Sequence, residues 1–213
     1  MTIRKQTDAE EVANSMSHGL GALLALAAMI MLVALGGRQG NAWRMIGAGV
    51  FGGALTLLYV ISALYHGVKL PKAKRVLRIL DHSSVFILIA GTYTPITLVM
   101  LPGAWGWTLF GLVWGLAALG IALKLACFDK FHRISIVVYL SMGWIGVVAF
   151  KPMLEQLPRG ALAWIAAGGM VYSLGVIFYK QERLYFAHAI WHLFVIAGSV
   201  MHFIAIYRYV IPA

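Results

Sequence analysis

Apolar stretches long enough to cross a lipid bilayer recur along the whole chain, and they restrict its fold more than any other feature. A helix of about 18 or more apolar residues spans the hydrocarbon layer of roughly 30 Å, because each residue adds about 1.5 Å. The composition agrees, since 62% of the 213 residues are hydrophobic and 11% are charged. Such a composition excludes a soluble globular domain and a disordered chain. The sequence predicts a polytopic membrane protein.

Seven apolar segments predict a single domain over residues 1–213, an all-α bundle of seven transmembrane helices. Backbone groups must be paired within lipid and the alternation typical of strands is absent, so helices are expected. Short breaks between the segments predict antiparallel packing of sequence neighbours. The segments are His18–Leu35, Trp43–Gly67, Ile79–Met100, Trp105–Leu123, Ile134–Phe150, Leu162–Tyr179 and Ala187–Tyr207.

The distribution of positive charge predicts a cytoplasmic N-terminus and an external C-terminus. With residues 1–17 inside as an N-terminal segment, 12 Lys and Arg residues fall on the inner side and 5 on the outer side. The positive-inside rule favours this direction. Because these charges lie between apolar segments, they indicate topology control and contact with anionic headgroups, and no nucleic-acid partner is expected. The inner residues are Arg4, Lys5, Lys69, Lys72, Lys74, Arg75, Arg78, Lys124, Lys130, Arg133, Lys180 and Arg183.

Three local features complete the outline of the chain. Cys127 is the single cysteine, so neither a disulfide framework nor a cysteine metal cluster is expected. Thr7 and Glu10 have the spacing of a capping box, which predicts a short helix before the first apolar segment. The first apolar run follows an acidic stretch and leads into further spans, so we expect no cleavable signal peptide.

Ionisable side chains inside or beside the apolar segments are the first candidates for function, because charge is costly in lipid. With the predicted direction, the second segment brings Ser62 and His66 to its inner end as an i,i+4 pair on one helix face. Four helices are thus expected to carry polar groups to one depth below the cytoplasmic headgroups. The groups on the first, third and seventh segments are His18, Asp81, His188 and His192.

Imidazoles and a carboxylate at one depth predict a tetrahedral Zn²⁺ site, because zinc favours such nitrogen and oxygen donors. The predicted ligands are His66, Asp81, His188 and His192. Asp81 is expected to bind the metal directly or through a water, and the second arrangement leaves the open position that catalysis requires. Asp81 alone is also compatible with a role as the N-cap of the third helix. His202 is expected to be either a packed residue or a second polar residue in the cavity. Haem held between His66 and His188 is a further alternative.

Four motifs, in this order and spacing, resemble the progestin and adipoQ receptor superfamily, specifically its bacterial hemolysin III branch. They are Glu11-Val-Ala-Asn14-Ser-Met-Ser-His18, Ser62-Ala-Leu-Tyr-His66, Asp81-His-Ser-Ser with Ala90-Gly-Thr-Tyr-Thr-Pro95, and His188-Ala-Ile-Trp-His192. The resemblance implies seven helices, an inward N-terminus in a bacterial inner membrane, and zinc held by the four predicted ligands.

The resemblance also points to an activity, because this superfamily is similar to the alkaline ceramidases. It implies a zinc-dependent intramembrane hydrolase of lipid amides or esters. Asp81 would then accept a proton and Ser62 would stabilise the developing oxyanion, which makes both predicted catalytic residues. The alternative is a non-enzymatic sensor or regulator of membrane state with structural zinc, in a family named for cytolysis. The sequence gives little support for ion transport, because a single acidic residue within the membrane spans does not form a long proton relay.

Overall fold

The computed structural model describes residues 4, 6–38, 40–181 and 183–212, and it leaves out the side chains of residues 129, 132 and 133. Lys5 and the side chain of Arg133, both used in the charge argument, therefore lie outside the described residues. The described helices are α1 (Asp8–Arg38), α2 (Ala42–Gly67), α3 (Pro71–Pro95), α4 (Ala104–Gly143), α5 (Phe150–Gln156), α6 (Arg159–Tyr179) and α7 (Ala187–Ala205).

Seven segments of the described chain are long and apolar enough to cross a membrane, which confirms the predicted all-α fold. The long helix α4 supplies two of them, because it is kinked at Cys127, where φ is −145° and ψ is 55°. Its first half makes the fourth crossing, and its second half makes the fifth crossing together with a short 3-10 turn and α5. The break predicted between the fourth and fifth segments coincides with this kink, which separates two helical segments. Lys124 consequently lies inside the fourth crossing and is buried, not exposed in a loop.

Helices α1 and α3 begin eight or more residues before their apolar segments. α1 starts at Asp8, where the Thr7 N–H donates to Glu10 Oε2 at 2.9 Å and the Glu10 N–H donates to Thr7 Oγ1 at 3.3 Å. These bonds form the predicted capping box. α3 starts at Pro71, a residue suited to the first helical turn. Asp81 therefore lies in the interior of α3, and the helix-cap interpretation is wrong.

Pro95 ends the regular part of α3, and the helix continues as a π-helical turn over Ile96–Met100. Threonine hydroxyls bond the backbone carbonyls of the preceding turn, as Thr92 Oγ1 does with Leu88 O and Thr94 Oγ1 with Ala90 O, both at 2.8 Å. These bonds satisfy the threonine hydroxyls within the membrane.

Helix α7 packs against α6 and also against α1, so the last crossing lies beside the first. The core between them includes Phe51 and Leu58 of α2 and Val195 of α7. We use "the N-terminal end of the bundle" for the end that contains the first turns of α1 and α7 and the last turn of α2. Contacts between these turns place the site described next.

Candidate metal centre

Three histidines from two helices meet at the N-terminal end of the bundle. His66 lies in the last turn of α2, and His188 and His192 lie in the first two turns of α7. Each offers one ring nitrogen, and these three nitrogens lie within 4.8 Å of one another. His66 and His192 are buried, and His188 is half-buried. The structure therefore brings three of the four predicted ligands within metal-binding distance.

Hydrogen bonds from α1 fix the orientation of two of these imidazoles. His66 Nδ1–H donates to Glu11 Oε2 at 2.7 Å, and Lys74 Nζ donates to Glu11 Oε1 at 2.6 Å. His192 Nδ1 lies 3.2 Å from the Asn14 carbonyl oxygen and 3.0 Å from Ser17 Oγ. An imidazole that donates from Nδ1 keeps a lone pair on Nε2, which is the usual arrangement of metal-binding histidines.

One buried nitrogen tests whether this site fits a metal ion. His66 Nε2 is buried and has no hydrogen-bond partner. A buried polar atom without a partner is costly, and a bound cation would satisfy the lone pair of this nitrogen. Three imidazole nitrogens also match the donor preference of zinc and of several other transition metals. The residues present therefore fit a divalent transition metal.

Asp81 and Ser62 lie next to the three histidines. Both side chains line the cavity that contains His188 and His192, and the Ser62 side chain interacts with the Asp81 carboxylate. Asp81 does not belong to the group of residues whose ligand atoms lie within 4.8 Å of one another. The His66 ring nevertheless lies close enough to interact electrostatically with the Asp81 carboxylate. Coordination by Asp81, directly or through water, stays a prediction.

His18 contacts the site more closely than its sequence position indicated. Its ring stacks on that of His192 with centroids 3.5 Å apart and planes inclined by 9°, and it also meets the edge of the Tyr59 ring at 4.9 Å. Both ring nitrogens of His18 are buried without a hydrogen-bond partner. The stacking restricts the plane of the His192 ring, so His18 helps to position a candidate ligand.

The remaining span histidines lie apart from the set of three. The His82 ring lies 5.5 Å from the ring of Phe128. His202 is a packed residue of α7, where Nδ1–H donates to the Gly198 carbonyl at 2.9 Å and the ring stacks on Tyr172. Ser17 and Lys74, which bond His192 and Glu11, were not identified from the sequence. Lys74 is one basic residue among several at the start of α3, and the sequence does not distinguish it.

The haem alternative requires two imidazoles that face each other across a flat macrocycle. The rings of His66 and His188 have centroids 5.0 Å apart and are tilted by 54°, and the His192 ring lies 4.7 Å from that of His188. Three tilted rings around one point suit a small cation better than a porphyrin.

A cavity of about 380 Å³ extends from the histidines through the bundle. Its volume lies in the range of small-molecule sites, about 300–1,000 Å³. Beyond Ser62 and Asp81 its wall is mostly apolar, and it continues to Leu101 near the opposite end. Exposed side chains of the fifth crossing also belong to the wall, so the cavity reaches the outer surface of the bundle there. They are Trp144, Val147, Phe150 and Leu154.

Comparison with known proteins agrees with the family predicted from the four motifs. A family model described as haemolysin-III related matches residues 6–203. Hemolysin-3 of Bacillus cereus is 43% identical over 212 residues, covering 100% of this chain and 97% of the relative. The hemolysin-3 homolog of Bacillus subtilis (strain 168) is 41% identical over 200 residues, 94% of each chain. The monocyte to macrophage differentiation factor of Homo sapiens is 28% identical over 211 residues, covering 96% and 86%.

Proposed function

The chain belongs to the haemolysin-III related family, and we propose that it is a zinc-dependent hydrolase of lipid amides or esters that works within the membrane. One observation carries the proposal. His188, His192, Ser62 and Asp81 line the polar end of a mostly apolar cavity that reaches the bundle surface, and His66 lies within metal-binding distance of the two histidines. This combination supports acyl chemistry on a lipid chain that enters the cavity from the membrane.

His66, His188 and His192 would hold the zinc ion, with Asp81 as the fourth ligand, directly or through water. Zinc bound there supplies Lewis acidity to a substrate carbonyl and lowers the pKa of a bound water. The neighbouring side chains contribute their own chemistry. The Asp81 carboxylate accepts a proton, and the Ser62 hydroxyl donates a hydrogen bond to the carbonyl oxygen as its charge develops. The Ser62 hydroxyl interacts with the Asp81 carboxylate in the free protein, so its single O–H would turn from Asp81 to the substrate carbonyl during the reaction.

The substrate class follows from the shape and lining of the cavity. An acyl chain enters beside the fifth crossing, where exposed apolar side chains such as Val147 and Phe150 belong to the cavity wall. The headgroup stays at the N-terminal end of the bundle, near the basic residues Lys69, Lys72 and Arg75. We place this end at the cytoplasmic face of a bacterial inner membrane, as the distribution of Lys and Arg predicts.

The activity is tested with purified protein, a panel of lipid amides and esters, and Ser62→Ala. Loss of an oxyanion donor is expected to lower the rate of fatty-acid release by about 100-fold or more. Zinc content, measured by elemental analysis, stays unchanged because Ser62 is not one of the proposed ligands. Ser135→Ala is the matched control, since Ser135 is a buried serine of α4 that does not line the cavity. Wild-type protein that holds zinc and releases no fatty acid from any lipid overturns the proposal.

The second candidate is a sensor or regulator of membrane state in which the metal is structural. The observation in its favour is that the histidine set joins α2 to α7 while α1 bonds both through Glu11 and Asn14. The same variant separates the two functions. If the Ser62→Ala protein retains zinc but loses lipid hydrolysis, the enzyme is supported. If the variant retains zinc and the membrane phenotype of the cells is unchanged, a structural role of the metal is supported.

A further inference from the structure

A pair of cationic side chains lies at the N-terminal end of the bundle, outside the histidine set. Lys124 in α4 has 0% of its surface exposed, and its Nζ has no hydrogen-bond partner. Arg78 in α3 is exposed. Both approach the ring of Phe128, with Lys124 Nζ 4.8 Å and Arg78 Cζ 5.0 Å from its centre.

Aromatic rings compensate part of the burial of Lys124, but they offer no acceptor for its three N–H groups. Its Nζ also lies 5.7 Å from the ring of Phe131, so two aromatic faces surround the ammonium group. Among the described residues, neither Lys124 nor Arg78 forms an ion pair. A buried ammonium group within a membrane crossing is costly without a counter-charge, and the nearby guanidinium adds repulsion.

We propose that Lys124 and Arg78 bind a phosphate group, either that of an anionic lipid headgroup or free phosphate. A bound oxyanion would accept hydrogen bonds from Lys124 Nζ and neutralise both cations. Arg supplies a planar fork of donors and Lys a compact charge, which together match the oxygens of a phosphate. Arg78 would form the exposed side of this site and Lys124 its buried base, so the ligand would be held between the surface and the core of the bundle.

The phosphate site adjoins the cavity described above. Arg78 and Asp81 are three residues apart on α3, so they lie on neighbouring positions of one helix face. The His82 ring lies 5.5 Å from Phe128 and also lines the cavity. A phospholipid held by its headgroup at Arg78 would therefore lie with its chains close to the cavity. The proposal does not depend on bound metal or on hydrolysis.

The test is native mass spectrometry of the purified full chain in detergent, with phosphatidylglycerol, phosphatidylcholine or inorganic phosphate added in turn. Wild-type protein is expected to retain phosphatidylglycerol or inorganic phosphate. Retention of the lipid but not of free phosphate identifies a headgroup site, and the reverse identifies a free-phosphate site. Lys124→Met is expected to lower the affinity for the retained ligand at least tenfold, and Lys124→Arg is expected to preserve that affinity.

Two further variants keep the test decisive. Arg78→Gln removes the exposed cation, so it probes the site without changing the buried core should Lys124→Met fail to fold. Lys180→Met removes an exposed cation at the same end of the bundle and serves as the control, with unchanged binding expected. Wild-type protein that retains neither ligand overturns the proposal. The same conclusion follows if Arg78→Gln and Lys124→Met bind phosphate ligands as tightly as wild type, whatever the zinc content.

Discussion

At the scale of single residues, Glu11 connects the surface of the protein to the candidate metal centre. Its two carboxylate oxygens accept hydrogen bonds from His66 Nδ1 at 2.7 Å and from Lys74 Nζ at 2.6 Å. A carboxylate behind a metal-binding imidazole makes that imidazole a stronger ligand and fixes its tautomer. Glu11 is thus a positioning residue whose effect is transmitted through His66.

The first prediction concerns Glu11→Gln, which retains the shape of the side chain and removes its charge. We expect zinc affinity to fall by about 10–100-fold, because outer partners of metal ligands have effects of this size. Competition with a zinc chelator measures the change. Glu155→Gln is the control, since Glu155 is an exposed acid of α5 away from the site. Unchanged zinc affinity in Glu11→Gln would show that the hydrogen bond to His66 does not tune the metal.

The candidate ligands could be predicted from the sequence because spacing and depth determine them. The i,i+4 spacing of His188 and His192 and the inner position of His66 place the three imidazoles at one depth in an antiparallel bundle of these segments, and the position of α2 near α7 brings them together. The partners of these residues could not be predicted in the same way. The stacking of His18 on His192 depends on side-chain rotamers, and the bond from His192 to Asn14 ends on a backbone oxygen.

At the scale of elements, the N-terminal turn of α1 secures the start of α7. Phe186, the residue before α7, has φ of 58°, a left-handed conformation that is unfavourable for a residue with a side chain. Its N–H donates to Glu10 Oε1 at 2.9 Å, and Glu10 also accepts hydrogen bonds from Arg4 and Thr7. Glu10 thereby holds the chain in place two residues before His188.

The second prediction is that Glu10→Ala destabilises the protein and loosens zinc binding without changing a ligand. Removal of a buried charged acceptor costs about 1–3 kcal/mol, because the Phe186 N–H and the Arg4 guanidinium lose their partner. Thermal unfolding and chelator competition measure the two effects. Asp8→Ala is the control from the same turn, since Asp8 is highly exposed and pairs with an exposed Lys69. Equal effects of both substitutions would contradict a specific role for Glu10.

Helix boundaries were the least predictable part of the fold, for reasons visible in α1 and α4. The apolar segment starting at His18 marks where lipid begins, but the hydrogen bonds between Thr7 and Glu10 decide where the helix begins. The charges after Cys127 indicated a break between two crossings, and the non-helical dihedral angles at Cys127 form the kink that separates them. Hydropathy therefore located the crossings, and local backbone geometry determined their ends.

At the scale of the whole molecule, the candidate centre joins parts of the chain that are far apart in sequence. His66 ends the second crossing and His188 begins the seventh, while Glu11 and Asn14 of the first crossing bond their neighbours at the site. Helices α2 and α7 share apolar core residues and a hydrogen bond between Tyr59 Oη and Ser199 Oγ at 2.7 Å. A cation shared by the histidines would add a further link between these two helices at the N-terminal end of the bundle.

The third prediction follows from this link between crossings. A metal that binds the folded protein at 100 times its Kd stabilises the fold by about 2.7 kcal/mol, so chelation is expected to lower the Tm of wild-type protein. His188→Ala removes one proposed ligand, so the Tm of this variant is expected to be lower than that of wild type before chelator is added. Its Tm is also expected to be insensitive to the chelator. His202→Gln is the matched control, because His202 is a buried histidine of α7 outside the histidine set and should retain both zinc and the chelator response. Elemental analysis of the three proteins accompanies the unfolding curves. A wild-type Tm that neither falls with chelator nor rises with added zinc would mean that the helices hold together without a metal, and the assignment of the histidines as ligands would fail with it.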